Sequence, residues 1–154
     1  MKNKLWINIL LSFGLVILVA GLGTLFVNLG FDWFAVLNKP QEWVPDFVIP
    51  IAWTIIYTIS AFVIYDLISK NLISKSLTSL FAINGALNVL WCLLFFTLNL
   101  KFVGLVAIIL NLIAAILLAN ALYKTKPKYF YWLLVYPCWL SIATTLNLAI
   151  WILN

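Results

Sequence analysis

Five apolar stretches dominate the sequence, each long enough to cross a lipid bilayer and almost free of charge. They run approximately over residues 5–28, 47–68, 77–98, 102–123 and 129–153. A helix rises about 1.5 Å per residue, so about 20 apolar residues span a hydrocarbon core about 30 Å thick. Strands of a membrane barrel would be about 10 residues long and alternate apolar with polar, a pattern these runs lack. The sequence therefore predicts an all-α integral membrane protein, a five-transmembrane-helix bundle with a long first loop, forming a single domain over residues 1–154. Composition agrees: 66% of the chain is hydrophobic and 8% charged, against about 45–50% and about 25% in soluble domains. Too little polar surface remains to cover a core in water. The first stretch is longer than the core of a secretory signal, and four similar stretches follow it, so it is expected to be a mature helix.

Charge refines this picture. Nine lysines face four acids, with no arginine and no histidine. The lysines fall between the apolar runs, which suits anchoring at a membrane surface rather than nucleic-acid binding. Lys2, Lys4, Lys70, Lys75, Lys124, Lys126 and Lys128 collect on one side of the bundle, and Lys39 and Lys101 on the other. That asymmetry predicts a cytoplasmic N-terminus and an outer C-terminus, in what is expected to be a bacterial cell membrane. Asp66, the one acid within or near a span, sits four residues before Lys70, as an interfacial ion pair requires. The spans otherwise carry no ionisable acid or base, which speaks against a proton- or ion-coupled transporter. Neither a Ser/His/Asp set nor a metal-ligating cluster nor a Cys-x-x-Cys pair is present, so no metal and no cofactor is expected. Cys92 and Cys138 read as small buried hydrophobes.

The first loop, 29–46, differs from the other connections. It holds three of the four acids, the aromatics Trp33, Phe34 and Trp43, and the stiffening Pro40 and Pro45. Trp at this depth serves either as an interfacial belt or as part of a lid over a cavity. Within the spans, Trp53 and Tyr57 share a helix face, as do Asn84, Asn88, Trp91 and Phe95, and Trp139, Ala143, Leu146 and Asn147. Amides are costly in lipid unless partnered, so these faces should turn inward. They either pack the helices, with the asparagines bonding to one another, or wall a pocket for a flat apolar ligand. Gly14, Gly21 and Gly23 on the first helix, and Ala82 with Ala86 on the third, suit close helix contact or dimer packing.

These features, taken in order, resemble the TspO/MBR family of translocator proteins and tryptophan-rich sensory proteins over nearly the whole chain. The resemblance rests on Trp33-Phe34, Leu37-Asn38-Lys39-Pro40 and Trp43-Val44-Pro45 in the first loop, and on Trp53 with Tyr57 in the second helix. It continues through Asn88, Trp91, Phe95 and Phe96 in the third, and Tyr136, Trp139, Ala143, Leu146, Asn147 and Asn154 at the end. The chain departs from the family pattern at Asp46, where a second proline is usual, and at Val135, whose expected proline appears instead as Pro137. The resemblance implies a five-helix bundle, often a homodimer, acting as a membrane receptor or sensor. Its ligands would be tetrapyrroles such as protoporphyrin IX, and benzodiazepine-site drugs. Carried over position by position, the site would comprise Phe34, Trp53, Tyr57, Asn88, Trp91, Phe95, Trp139, Ala143 and Asn147. It also implies alternatives: light-dependent porphyrin breakdown with Trp53 and Trp139 as the candidate catalytic residues, or porphyrin or sterol transport. A basic residue following a tyrosine, needed by the sterol motif of animal members, is missing from 146–152.

Overall fold

The computed structural model describes residues 2–154, and its regular structure is all helical, with no strand among the described residues. Five helical segments are long and apolar enough to cross a membrane. The first span is α1 (Lys2–Leu29). A one-turn helix, α2 (Phe31–Ala35), follows in the first loop. The second span is α3 (Val48–Ser69). The third is α4 (Lys75–Cys92), continued by a π-helical turn over Leu93–Thr97. The fourth is α5 (Lys101–Thr125). The fifth is divided into α6 (Pro127–Leu133) and α7 (Val135–Leu153).

Local chemistry sets the boundaries. Asn71 adopts φ 54° and closes α3: its N–H donates to the Ile68 carbonyl while the Leu72 N–H reaches Leu67, the pairing that satisfies the last carbonyls of a helix. The Ser74 hydroxyl caps α4, accepting the Leu77 N–H at 3.1 Å, as a serine at that position does. Asn99, at φ 58°, ends the π-helical turn. In the fifth span, Pro137 has no N–H to donate to the carbonyl of Leu133, and the helix is interrupted at Leu134, one turn before the proline.

The helices form a ring in the order first, second, fifth, fourth, third, with the third closing on the first. The second and third spans are consecutive in sequence but their backbones are not neighbours; they meet only through long side chains, Trp53 with Trp91 and Tyr57 with Asn88. Facing residues fill most of the interior, from Leu67, Leu77 and Leu122 near one end to Phe95, Leu140 and Ile150 toward the other. The outer surface is mostly leucine, isoleucine and valine, with aromatics such as Trp6, Phe62, Phe102, Tyr131 and Trp132 among them, as suits a lipid-facing wall. At the end carrying the second and fourth connections, Asp66 accepts from Lys70 and Lys128, and from the Tyr129 hydroxyl at 2.8 Å. The expected i,i+4 pair is present and is enlarged into a junction between the second and fifth spans.

Within the first loop, Phe31–Ala35 turn helically with Phe34 buried against the core. One expectation needs correction. Cys92 is buried, but Cys138 is exposed because its position on α7 turns away from the ring. Of the three glycines on α1, a Cβ added at Gly14 or Gly21 would meet no other segment within 4 Å, whereas one at Gly23 would lie near the Cys92 Sγ and Tyr57 Oη atoms.

Candidate functional site

The residues singled out in the sequence fall into two neighbouring places. Phe34 of α2, Trp53 of α3, Trp91 of α4, Phe95 of the π-helical turn, and Trp139, Ala143 and Asn147 of α7 surround one small cavity of about 20 Å³ beneath the first loop. Ile49, Phe96, Leu146 and Ile150 complete its wall. Tyr57 and Asn88 lie one turn deeper and line a separate, larger cavity. Ile49, Phe96 and Ile150 were not anticipated. The adjacent Phe95 and Phe96 were noticed, but nothing in their spacing said that a π-helical turn would bury both.

That turn is the local device that builds the site. One extra residue per turn swings the helix so that Phe95 and Phe96 are 1% and 5% exposed although adjacent. Such turns recur at functional positions. The Thr97 hydroxyl fixes it to α1 through the Phe26 carbonyl at 2.8 Å. Two glycines allow close approach: a Cβ at Gly30 would lie 1.9 Å from the Phe96 carbonyl oxygen, and one at Gly104 would lie 2.8 Å from Phe95 Cβ.

The rings form one connected cluster. Trp53 stacks on Tyr57 with centroids 5.6 Å apart and lies 5.9 Å from Trp91. Trp91 in turn stacks on Phe95 at 6.2 Å. Trp33 meets Phe95 edge-on, and Phe34 meets Phe96 at 5.1 Å. These separations are those of favourable aromatic pairs. Some amides serve the protein itself: the Trp91 indole N–H donates to Asn147 Oδ1 at 3.1 Å, and Asn147 Nδ2 donates to the Ala143 carbonyl. The Tyr136 hydroxyl donates to Asn111. By contrast, the Trp139 indole N–H is buried with no partner, an unfavourable state for a donor.

A lid covers the site. Its Lys39 side chain is only 5% exposed; the ammonium lies 4.1 Å above the Phe34 ring and 2.9 Å from Asp46 Oδ2. Gln41 donates to the same oxygen at 3.1 Å. Burial alone would raise the Asp46 pKa, but hydrogen bonds from Lys39 and Gln41, together with the lysine charge, hold it below the ordinary 3.8. Asn154 clips the loop from the other side: its Oδ1 accepts the Asn38 N–H at 2.9 Å and its Nδ2 donates to the Asn38 carbonyl at 3.0 Å. The loop aromatics divide between the two roles open to them, with Phe34 buried, Trp33 half-buried against Phe95, and Trp43 exposed at the rim.

Comparison with known sequences assigns the family. The profile of the TspO/MBR family matches residues 12–152. The chain belongs to the TspO/MBR family. Among similar proteins, the tryptophan-rich protein TspO of Chlorobaculum tepidum is 31% identical, the match covering 99% of each chain. The tryptophan-rich protein TspO of Archaeoglobus fulgidus is 35% identical over 79% of this chain and 80% of its own. Protein CrtK of Rhodobacter capsulatus is 26% identical over 79% and 78%. This member of the TspO/MBR family is an integral membrane protein.

Proposed function

We propose that this protein is a membrane receptor for a flat, largely apolar ligand of the tetrapyrrole class, protoporphyrin IX-like, held between the second, third and fifth spans beneath the first loop. The observation that carries this reading is the convergence of seven aromatic, small and amide residues from four segments around one point, with the unpaired Trp139 N–H among them. Aromatic walls stack on a flat ring system, and an unpaired buried donor suits a ligand carbonyl or carboxylate. Lys39, at the roof, supplies a cation for a porphyrin carboxylate once Asp46 is released. A chain without histidine offers no usual strong axial ligand, so metal-free porphyrin is the better substrate for this site than haem. Benzodiazepine-site drugs would use the same walls.

The cavity is about 20 Å³, and ligand pockets are about 300–1,000 Å³. Binding therefore requires the rings to part and the lid to lift. Titration with protoporphyrin IX, followed by quenching of tryptophan fluorescence, tests the reading. Saturable quenching that is lost in a Trp53→Ala, Trp139→Ala double variant is the expected result, and equal quenching in both proteins overturns it.

A second reading, photo-oxidative breakdown of the porphyrin, is favoured by the packing of Trp53 against Trp91, Tyr57 and Tyr136. Illuminated turnover beyond one equivalent per protein would support it. A stoichiometric bleach would return the protein to a receptor. The lysine distribution supports a cytoplasmic N-terminus, testable with terminal reporter fusions. Homodimerisation would use the outer face of α1, where Gly14 and Gly21 have open space beside them.

A further inference from the structure

The larger cavity, about 520 Å³, lies beneath the aromatic site and shares no lining residue with it. One layer of side chains divides the two. On α3 the boundary falls between Trp53 above and Tyr57 below, on α4 between Trp91 and Asn88, and on α7 between Trp139 and Tyr136. The members of each pair are about one helical turn apart. From that layer the cavity wall runs down α3 from Ile56 to Ile68, about 18 Å along the axis at the helical rise. Its volume falls within the range of small-molecule sites, which the space of about 20 Å³ above it does not reach.

The dividing layer can yield on one side. Tyr57 stacks on Trp53 and forms part of the larger cavity's wall. A single hydrogen bond holds its hydroxyl, donated by Asn88 Nδ2 at 2.6 Å. Losing one such bond shifts an opening equilibrium only about fivefold. Above the layer, Phe34, Phe95 and Phe96 are buried and packed on one another. Rings that must part to admit a flat ligand therefore have room below them and little among their upper neighbours.

The two compartments differ in charge. At the lid end, the Lys39 ammonium lies 4.1 Å over Phe34, a wall of the upper site, and Lys101 binds Asn154, the residue that clips the lid. The lower lining contains no lysine, aspartate or glutamate, so an ionised group pushed there would find no counter-charge. We infer that the larger cavity is the inner compartment of the ligand site. A flat ligand stands on edge, its carboxylates at the lid beside the two lysines and its uncharged edge pressed past Tyr57 into the cavity. The class selected is a tetrapyrrole whose carboxylates all lie on one edge. This depth, orientation and charge pattern presuppose the receptor reading above.

The test uses the full-length protein in lipid nanodiscs and tryptophan quenching by two porphyrin isomers of equal charge. Protoporphyrin IX carries its two propionates on adjacent pyrroles, along one edge. The second isomer carries them on opposite pyrroles, so that one would have to enter the cavity. Protoporphyrin IX should bind about a hundredfold more tightly, because burying an unpaired carboxylate is costly. Ser60→Phe, which fills the cavity about one turn below Tyr57, should weaken protoporphyrin IX binding about tenfold, with thermal unfolding verifying that the variant is folded. Equal affinity for the two isomers overturns the inference, and so does unchanged affinity in folded Ser60→Phe. In either case, saturable quenching that is lost in the Trp53→Ala, Trp139→Ala variant leaves the receptor reading standing. Absence of saturable quenching in the wild type removes both. Should Ser60→Phe fail to fold, the isomer pair, measured on the wild type, decides alone.

Discussion

At the scale of single residues, the consequential atoms are those whose neighbours leave them no choice. Gly30 is one. Its backbone angles are ordinary (φ −109°), so the constraint is the approach of the Phe96 carbonyl and not conformation. Gly30→Ala should destabilise the folded protein by about 2 kcal/mol, in the range of overpacked cores, read as a lowered unfolding midpoint in detergent. Trp139 is the other. Replacing it with phenylalanine removes an unpaired buried donor, a relief that opposes the void left by the smaller ring. Trp139→Phe should therefore change stability by less than about 1 kcal/mol yet weaken protoporphyrin IX binding about tenfold. A purely structural tryptophan would give the reverse: a lost midpoint and unchanged quenching. The inward faces were legible because helical spacing needs no tertiary information: Trp91, Phe95 and Asn147 are buried where i,i+4 counting puts them. That Asn147 would serve Trp91 rather than a ligand was not legible, because partners on different spans depend on the ring order.

At the scale of elements, span length and hydropathy were sufficient to locate five membrane helices, since nothing else satisfies so long an apolar backbone in lipid. The irregularities inside them were not. A π-helical turn at Leu93–Thr97 and an interruption at Leu134 alter register without altering hydropathy. The lid is likewise only half-readable. Its prolines announced a stiff loop, whereas the bond of Lys39 to Asp46 depends on folding seven residues back on themselves. This pair gives the lid a pH dependence of definite sign. A carboxylate whose folded pKa lies below its ordinary value contributes its stabilisation fully above that value. The contribution is lost as pH falls through the lowered folded pKa. Asp46→Asn should admit protoporphyrin IX about threefold faster than the wild type at pH 7, a factor appropriate to a partly exposed pair. The ratio of the two rates should fall toward one as the pH drops below 3.8. A stopped-flow quenching series on both proteins at matched pH measures that ratio directly and cancels the ionisation of the porphyrin. A ratio independent of pH would mean that Asp46 does not hold the lid.

At the scale of the whole molecule, the ring order decides what is open and what is closed. Because the second span neighbours the fifth and not the third, the aromatic faces meet at the lid end and fill it, while a gap persists at the other end. No periodicity in a single helix encodes that division, which is why Asn84 and Asn88 looked alike in sequence to the amides of the aromatic site. The closed form described here must be left before a flat ligand enters, so the observed binding rate should stop rising at high ligand concentration and level off at the rate of opening. Asn154 joins the end of the fifth span to the loop through both the N–H and the carbonyl of Asn38, and the Lys101 ammonium holds the Asn154 main-chain oxygen at 2.7 Å. Asn154→Ala removes two hydrogen bonds that only the closed lid makes. It should raise the plateau rate of protoporphyrin quenching about tenfold without moving the unfolding midpoint of the bundle, whose helices do not depend on that clip. A rate that climbs linearly with ligand in the wild type, with no plateau to raise, would show that the site already stands open in the membrane.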